Sequence, residues 1–394
     1  MRIAFFHNLP SGGAKRTAFE FIKYLAKNHE IDLYLYDRKA EDFLDIRPLV
    51  RNTILVEGGE TSGAKGIGRL ISINRVRVAS KRVARLINDG KYDLALVMQC
   101  KVSNSPFLLR HLRIPTLYFC HEPSAKILEP HYRGREQDGR LAYLKKLFLQ
   151  WSISIDRANA VSATLICTSS LYARENIYRN YGVYPRLNYL GVDAQRFHPL
   201  DLVREPAILC VGALNSAKGQ DFAIQSVGTL SQRPPIKFIY NFAYGMKEYQ
   251  TNLIHLAEKL GVSISFECLV EDEALVNAYN QATLTVFPSL LEPLGLVPLE
   301  SMACGTPVIG IAEGGVRETV LHNETGLLTE RDPQEFGQAI ERLIKDKTLW
   351  TNMSLRGRQK MLDCWTWEQA SQQLEKNMQK TLERHAGRQL PKNS

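Results

Sequence analysis

Two glutamates, Glu292 and Glu300, frame a glycine-containing loop in the part of the chain best suited to bind a polar ligand. This part covers residues 283–311 and reads TLTVFPSLLEPLGLVPLESMACGTPVIGI. Seven residues separate the two carboxylates, so they are not a matched acid–base pair on one helix face. We predict that both accept hydrogen bonds from hydroxyl groups of one ligand. The residues alone leave an alternative open, in which Glu292 caps a helix and Glu300 lies on the surface.

The same segment predicts a buried strand, a loop and a helix in succession. The strand ends near Phe287, and the helix begins around Pro298 and ends at Gly305. Proline is accepted in a first helical turn because the amides there have no partner within the helix. We therefore expect the amides of Gly295 and Leu296 to face the C-terminal edge of the sheet. Free amides and the helix dipole favour an anion there, and open α/β sheets bind their ligands at this edge.

Three further positions are suited to ligand binding. Lys218 lies near the start of a predicted helix, where an isolated lysine is usually a surface residue. Gly12 and Gly13 follow the first predicted strand without forming a GxGxxG pattern, and a plain turn also explains them. His121 follows a strand that ends at Cys120 and is expected to project from the C-terminal edge of the first sheet, although a single histidine is more often structural.

Short β-branched runs alternate with longer helical patterns along almost the whole chain, which is typical of parallel sheets joined by crossover helices. A polar stretch at residues 191–206, with Pro199 and Pro206, interrupts the alternation and predicts a domain boundary. We therefore expect an α/β fold with domains at 1–198 and 199–365 and a helical segment at 366–394. The predicted strands are 3–7, 31–36, 93–98, 116–120, 164–167, 187–190, 207–211, 237–241, 263–267 and 283–287.

Basic residues are concentrated in the first half of the chain. Residues 1–200 hold 31 Lys+Arg against 18 Asp+Glu (31 − 18 = +13), while the remainder holds 19 against 23 (19 − 23 = −4), which gives the net charge of +9. The densest segment, residues 65–85, places basic residues among apolar ones at roughly helical spacing. It is interpreted as a solvated helix face or as contact with an anionic membrane surface. The lack of aromatic stacking residues and of a binding motif argues against nucleic acid.

The remaining composition predicts a cytoplasmic protein without a cofactor. The seven cysteines are scattered and none lies in a CxxC pair, as expected for reduced thiols. The N-terminal MRIAFFHN predicts a buried strand rather than a signal region. No apolar run approaches the roughly 18 residues of a membrane-spanning helix. The sequence has no Asp-x-Asp pair and its histidines are isolated, so no metal is predicted.

Residues 283–311 closely resemble the donor-site signature of retaining glycosyltransferase family 4, in which two glutamates frame a glycine-containing loop. Weaker matches in the family's order include SGGA at 11–14, YFCHEPSA at 118–125, VGALNSAKGQD at 211–221 and the glycine pair at 314–315. The resemblance implies the GT-B fold, in which two Rossmann-like α/β domains face a cleft and a C-terminal helix crosses back to the first domain. Residues 1–198 are then the acceptor side, 199–365 the donor side and 366–394 the crossover helix and tail.

The resemblance also implies roles for the candidate residues. Glu292 contacts the transferred sugar, Glu300 holds the ribose hydroxyls and Lys218 meets the donor phosphates. The loop at Gly12 approaches those phosphates closely, and His121 hydrogen-bonds the sugar near the reacting centre. The implied donor-binding residues are Gly12, Gly13, Lys218, Glu292, Leu294, Gly295, Leu296 and Glu300, and the implied catalytic residues are His121 and Glu292.

The function implied by the resemblance is retaining hexosyl transfer from a nucleoside-diphosphate sugar to a lipid-linked or glycan acceptor in polysaccharide or glycolipid biosynthesis. The enzyme is expected to be cytoplasmic, with residues 65–85 against a membrane, and to need no metal. Leu294 is a mild departure from the usual Phe–Gly step of the family. Ala213 stands where the family often has a phosphate-binding arginine, which leaves a non-catalytic nucleotide-sugar-binding protein as an alternative. A sugar-nucleotide epimerase is a further alternative.

Overall fold

The computed structural model describes residues 1–9, 11–58, 67–123, 140–240, 246–268 and 271–389. The chain forms two compact units, the first containing Met1–Tyr189 together with Ala370–Ser394 and the second containing Leu190–Gln369. These breaks differ from the predicted ones at 198/199 and 365/366. The reason is local to the second unit: Val192 forms a parallel bridge with Thr366 and donates to the Trp365 carbonyl at 2.8 Å, so both segments belong to that unit.

A parallel sheet of seven strands forms the centre of the first unit within the described ranges. The strand order is β3-β2-β1-β4-β5-β6-β7, so the direction in which successive strands are added reverses between β1 and β4. The edge strand β3, which has two exposed polar residues at its start, was not predicted. The strands are β1 (Arg2–Asn8), β2 (Glu30–Leu35), β3 (Asn52–Leu55), β4 (Leu94–Cys100), β5 (Thr116–Phe119), β6 (Leu165–Thr168) and β7 (Arg186–Leu187).

Helices cover both faces of this sheet because successive strand residues point to opposite sides. Phe6 and Tyr118 pack in one core cluster with residues of α2 and α3, whereas Phe119 packs on Phe21 of α1 with ring centroids 5.4 Å apart. A short 3-10 helix, Phe107–Arg110, packs with both α2 and α3. The helices are α1 (Gly13–Leu25), α2 (Ile67–Asp89), α3 (Arg140–Ala160) and α4 (Leu171–Tyr181).

The second unit repeats this architecture with a parallel sheet in the order β10-β9-β8-β11-β12-β13. The direction of strand addition reverses here between β8 and β11. The strands are β8 (Glu205–Val211), β9 (Ile236–Tyr240), β10 (Ile264–Cys268), β11 (Ala282–Phe287), β12 (Val308–Ile311) and β13 (Gly326–Thr329). The helices are α5 (Gln220–Gly228), α6 (Met246–Leu260), α7 (Asp272–Gln281), α8 (Leu296–Ala303), α9 (Val316–Thr319), α10 (Pro333–Lys345) and α11 (Lys347–Cys364).

The last helix, α12 (Trp367–Gln389), belongs to the first unit from Ala370 onward. Its Asn377 accepts a hydrogen bond from the Arg186 guanidinium at 2.8 Å and donates to Asn188 at 3.1 Å. Two parallel sheets with helices between their strands confirm the predicted α/β class. None of the described helices is both long enough and apolar enough to cross a membrane.

Candidate functional site

The carboxyl ends of β8 and β11 lie side by side where the strand order of the second sheet reverses. Open parallel sheets bind ligands at this position because the loops that leave the two strands diverge and leave a crevice. Residues 212–219 follow β8 and include Lys218. Residues 288–295 follow β11 and include Glu292 and Gly295. The fold therefore brings together two of the segments predicted from the sequence.

Backbone contacts join these two loops. The Leu290 amide donates to the Ala217 carbonyl at 2.8 Å. Gly219 has a φ of +69°, and a Cβ there would lie 2.4 Å from the Pro288 carbonyl oxygen. The position therefore requires glycine for both its left-handed backbone and the close approach. The loops consequently form one continuous surface at the edge of the sheet.

Lys218 and Glu292 form an ion pair across this surface. The Lys218 ammonium donates to Glu292 Oε2 at 2.5 Å, and the two side chains are 26% and 21% exposed. Both charged groups are thus reachable from solvent while most of each side chain is covered. Their separation of 74 residues along the chain is the reason that sequence spacing did not predict the pair.

The backbone of Glu292 is fixed by the glycine pair that follows β12. The Gly315 amide donates to the Glu292 carbonyl at 2.8 Å. A Cβ at Gly315 would lie 2.0 Å from the Pro293 carbonyl oxygen, so no larger residue fits without moving the loop. Leu291 has a φ of +48°, a strained value for leucine of the kind that concentrates at functional sites. The backbone conformation of the loop that carries Glu292 is therefore fixed by contacts with the glycine pair.

Arg331 is a second support for this loop, and sequence reasoning missed it. Its guanidinium donates to the carbonyls of Pro288 and Ser289 at 3.1 and 3.2 Å. The same group makes a paired contact with the Glu313 carboxylate at 3.0 and 2.8 Å. A lone arginine after a short strand carries no motif, so only the folded structure reveals this role.

The N-terminus of α8 opens at the end of the 288–295 loop. The helix begins at Leu296, two residues before the predicted start at Pro298, because Gly295 adopts a φ of +88° and serves as the N-cap. Within the described part of the chain no side chain caps this end, so the alternative in which Glu292 is the cap is wrong. The first amides of a helix lack intrahelical partners and favour an anion. Leu294 is buried at 2% exposure, so its side chain packs in the protein interior.

Glu300 lies on α8 and is buried at 6% exposure, which excludes the alternative that it is a surface residue. The Tyr279 hydroxyl donates to Glu300 Oε2 at 2.9 Å, which fixes the orientation of the carboxylate. Ala213, the position of the missing arginine, offers its carbonyl to the buried side-chain amide of Gln220 at 2.9 Å.

In the first unit, Gly13 is the first residue of α1 and Gly12 is its N-cap, with a φ of +127° that favours glycine. A fully buried charged cluster lies beside this turn. Glu41 Oε1 is 2.6 Å from the Lys15 ammonium and 2.8 Å from His7 Nε2. Burial lowers the pKa of both His7 and Lys15. It would raise the pKa of Glu41, but the bonds from His7 and Lys15 hold it below its usual value.

His121 follows β5 by two residues, at the C-terminal edge of the first sheet as predicted. Burial lowers its pKa to about 4, so the imidazole is neutral at physiological pH. The ring packs against Phe119 with centroids 5.0 Å apart. Its Nε2 atom is buried and has no hydrogen-bond partner among the described residues. His121 is therefore a neutral imidazole whose Nε2 forms no hydrogen bond with any described residue.

Two family models match the chain almost end to end. Residues 11–196 match Glycosyltransferase Family 4, and residues 193–360 match Glycosyl transferases group 1. The chain is a family 4 type, group 1 glycosyltransferase. The N-terminal match contains Gly12 and His121, and the C-terminal match contains the 212–219 and 288–295 loops, so the predicted site residues fall within the matched regions.

Relatives and solved structures agree with this assignment. D-inositol 3-phosphate glycosyltransferase of Frankia alni is 31% identical over 175 residues, which is 39% of this chain and 43% of that protein, so the chain spans less than half of that relative's length. Sucrose-phosphate synthase of Thermosynechococcus elongatus superposes with a TM-score of 0.80 at 21% identity, covering 96% and 98% of the two chains. Anabaena HepE in complex with UDP-glucose superposes with a TM-score of 0.75 at 18% identity, covering 96% and 100%. The predicted GT-B fold is confirmed.

Proposed function

We propose that this glycosyltransferase is a retaining hexosyltransferase that uses a nucleoside-diphosphate sugar and a lipid-linked or glycan acceptor. The observation that carries the proposal is the Lys218–Glu292 pair at the strand reversal of the second sheet, next to the uncapped N-terminus of α8. A cation and free helix amides are suited to a diphosphate. The carboxylates of Glu292 and Glu300 are suited to hydroxyl groups of the attached sugar and ribose.

In the proposed reaction the chain binds the donor and stabilises its leaving group. Lys218 and the first amides of α8 hold the diphosphate, whose charge grows as the glycosidic bond breaks. A charge pair about 4 Å apart at an effective dielectric of 20 interacts by roughly 4 kcal/mol. If this attraction acts mainly in the transition state, it accelerates transfer about 1000-fold. The acceptor oxygen attacks the face from which the diphosphate leaves, so the anomeric configuration is retained.

A thermal-shift screen across nucleotide sugars tests the donor site. One nucleotide sugar is expected to stabilise the protein specifically, and Glu300→Ala is expected to remove that shift. Glu267→Gln is the matched control, because it breaks a 2.7 Å ion pair with Lys237 on neighbouring strands of the same unit. No specific stabilisation by any nucleotide sugar would overturn the proposal.

Incubation of the protein with the selected donor, with and without an acceptor, distinguishes a transferase from an epimerase and from a binding protein. Transfer to an acceptor, with the anomeric coupling constant of the donor preserved in the product by NMR, supports retaining transfer. Inversion of the anomer overturns the retaining part. Conversion of the donor without an acceptor indicates an epimerase, and tight binding without turnover indicates a binding protein. We expect His121→Ala and Glu292→Ala to abolish transfer while leaving the thermal unfolding midpoint close to that of the wild type.

Transfer is proposed to need no metal. The support is the chemistry above, in which Lys218 and the amides of α8 take the place of a cation beside the diphosphate. Equal rates in EDTA and in added Mg²⁺ or Mn²⁺ are the expected result. Dependence on a divalent ion would show that the diphosphate requires a further cation.

The acceptor is proposed to lie at an anionic membrane surface on the cytoplasmic side. The support is the exposed side of α2, which we call the basic–apolar face. Val76, Val83 and Ile87 turn into the core, while three apolar residues stay 45–51% exposed between the basic ones. Lys65 lies outside the described residues, as does the side chain of Arg69. The members of the basic–apolar face are Ile71, Arg75, Arg77, Val78, Lys81, Arg82, Arg85 and Leu86.

Sedimentation with vesicles tests this surface. The protein is expected to bind vesicles that contain anionic lipid more tightly than neutral ones. Each basic residue at such a surface contributes about 1 kcal/mol, so changing three to glutamine is expected to weaken binding roughly 100-fold. The variant changes Arg75, Arg82 and Arg85, and the charge-matched control changes three exposed basic residues of the second unit, Lys345, Lys347 and Arg356. If the variant and the control lose equal vesicle affinity, the cause is net charge and not the basic–apolar face. If the wild type binds neither anionic nor neutral vesicles, the proposed membrane surface is wrong.

A further inference from the structure

Gln99, the penultimate residue of β4, binds both sides of the peptide turn that carries His121. Its side-chain oxygen accepts a hydrogen bond from the His121 amide at 3.3 Å. Its side-chain nitrogen donates to the carbonyl of Glu122 at 2.7 Å. Gln99 is itself buried at 8% exposure, so solvent does not compete strongly for these bonds. One side chain therefore fixes the main chain before and after the imidazole-bearing residue.

A second amide supports the same turn. Asn104 Nδ2 donates to the Glu122 carbonyl at 3.1 Å, and Asn104 Oδ1 accepts from Gln99 at 2.9 Å. Asn104 has a φ of +56° and is held there by paired main-chain bonds with Cys100 at 2.8 and 2.9 Å. The buried Asp156 carboxylate accepts from the Ser105 amide at 2.8 Å and so anchors the end of this loop. The turn at His121 is thus bound to the loop after β4, at the strand reversal of the first sheet.

The imidazole depends on this backbone support for its position. Among the described residues no group bonds its buried Nε2 atom, and the ring rests on Phe119. A ring without a bond at that nitrogen is oriented by the main chain that carries it and by ring packing. A shift of the turn would therefore move Nε2 directly.

We propose that Gln99 is a positioning residue for His121, acting through its hydrogen bonds to the His121 amide and the Glu122 carbonyl. The inference rests on the proposed role of His121 in transfer. Gln99 touches no reacting atom in this role. It sets where the imidazole nitrogen lies, and a displacement of about 1 Å at a reacting centre can lower a rate by as much as 100-fold.

The test compares Gln99→Met with Asn88→Leu. Methionine keeps the length of Gln99 and removes its two hydrogen bonds to the turn together with the one to Asn104. Asn88 is the matched control, because its amide bridges the 111–113 loop of the same unit by bonds to His111 and Arg113 at 2.9 Å. Gln99→Met is expected to lower kcat by roughly 10- to 100-fold with the donor KM unchanged, whereas Asn88→Leu leaves kcat near the wild-type value.

A double-mutant cycle and a resonance shift separate positioning from general damage. Against the residual transfer of a His121→Asn background, Gln99→Met is expected to cause little further loss of kcat, because the imidazole that Gln99 positions is gone. In protein labelled with ¹⁵N-histidine, Gln99→Met is expected to shift the His121 signals and Asn88→Leu is not. An unchanged His121 signal, or fully additive losses in kcat, would overturn the inference. A wild-type protein that transfers no sugar would instead overturn the proposed function, and the His121 signal would still report whether Gln99 positions the ring.

Discussion

Glu292→Gln should bind a free nucleoside diphosphate more tightly than the wild type, although it transfers sugar more slowly. The Lys218 ammonium forms an ion pair with Glu292 Oε2 at 2.5 Å. A diphosphate that approaches the N-terminus of α8 must compete with Glu292 for the ammonium and is repelled by the carboxylate. Glutamine removes the competing charge and keeps the shape of the side chain.

The size of the effect follows from the burial of the pair. At about 4 Å and an effective dielectric of 20 the gross attraction is roughly 4 kcal/mol. Solvent-exposed pairs contribute only about 0–1 kcal/mol in net terms. Lys218 and Glu292 are 26% and 21% exposed, so we place the net competition slightly above that range. A value of about 1.4 kcal/mol corresponds to a tenfold gain in affinity.

Transfer by the same variant should fall. The carboxylate of Glu292 is proposed to accept a hydrogen bond from the sugar, and a bond to a charged group is worth about 1.5–3 kcal/mol. Its loss corresponds to a fall of about 10- to 150-fold in kcat/KM. One substitution is therefore expected to move diphosphate affinity and transfer in opposite directions.

Isothermal titration with the diphosphate of the donor found by thermal shift measures the first effect. The gain should shrink as salt is added, because screening weakens the pair that glutamine removes. Glu267→Gln, which breaks the 2.7 Å pair with Lys237, should leave the affinity unchanged. Unchanged or weaker diphosphate binding by Glu292→Gln would refute the reasoning.

Three other perturbations test the structure at different points. Gly315→Ala should lower the free energy of unfolding by about 1–3 kcal/mol and impair transfer, because the new Cβ would lie 2.0 Å from the Pro293 carbonyl oxygen. The control is Gly387→Ala, whose Cβ meets nothing within 4 Å, and urea unfolding compares the two variants. Lys15→Met should cost about 3–5 kcal/mol by leaving the buried Glu41 charge without its cation, and an unchanged urea midpoint would contradict this. The pKa of His121, about 4 in the folded state, lies below the usual 6.5, so the unfolded chain binds more protons between these values. The free energy of unfolding therefore falls by up to about 3 kcal/mol as the pH drops from 6.5 toward 4, while above pH 6.5 the imidazole is neutral in both states and adds no pH dependence. Thermal melts of the wild type and of His121→Gln across pH 4–7 measure this loss. If the unfolding midpoints of the two proteins change with pH in the same way, His121 is not its cause.

The sequence predicted the architecture well because hydrophobic periodicity is local. Alternating strands and helices predicted both parallel sheets, and the strands predicted at 3–7 and 31–36 agree with β1 and β2 to within one residue at each end. The four-residue strands β3, β12 and β13 were not predicted, whereas β5 and β6 of the same length were, because so short a run carries too little periodicity to be recognised consistently. The start of α8 was placed two residues late because proline suggested a first position, while the glycine before the helix sets its actual start.

The contacts that fix the candidate site could not be predicted, because they join residues far apart along the chain. Gln99 carries no motif and lies 22 residues before His121. Arg331 supports a loop more than 40 residues away. The glycine pair at 314–315 was noted only for its position after the donor segment, and its close approach to the Glu292 loop appears only in three dimensions. The sequence resemblance implied which residues meet a ligand, whereas the residues that hold those segments in place could be recognised only from the fold.

The low pKa of His121 also has a chemical consequence for the proposed transfer. Glycosyl transfer passes through a state in which positive charge develops on the sugar ring. A protonated imidazole about 4 Å from that charge would oppose it by roughly 4 kcal/mol at an effective dielectric of 20, or about three decades of rate. Burial prevents protonation at neutral pH, because it lowers the pKa of His121 to about 4. The side-chain amides of Gln99 and Asn104 hold the turn without placing a charge beside it. In the role proposed for His121, the ring is therefore neutral beside the positive charge that develops on the sugar.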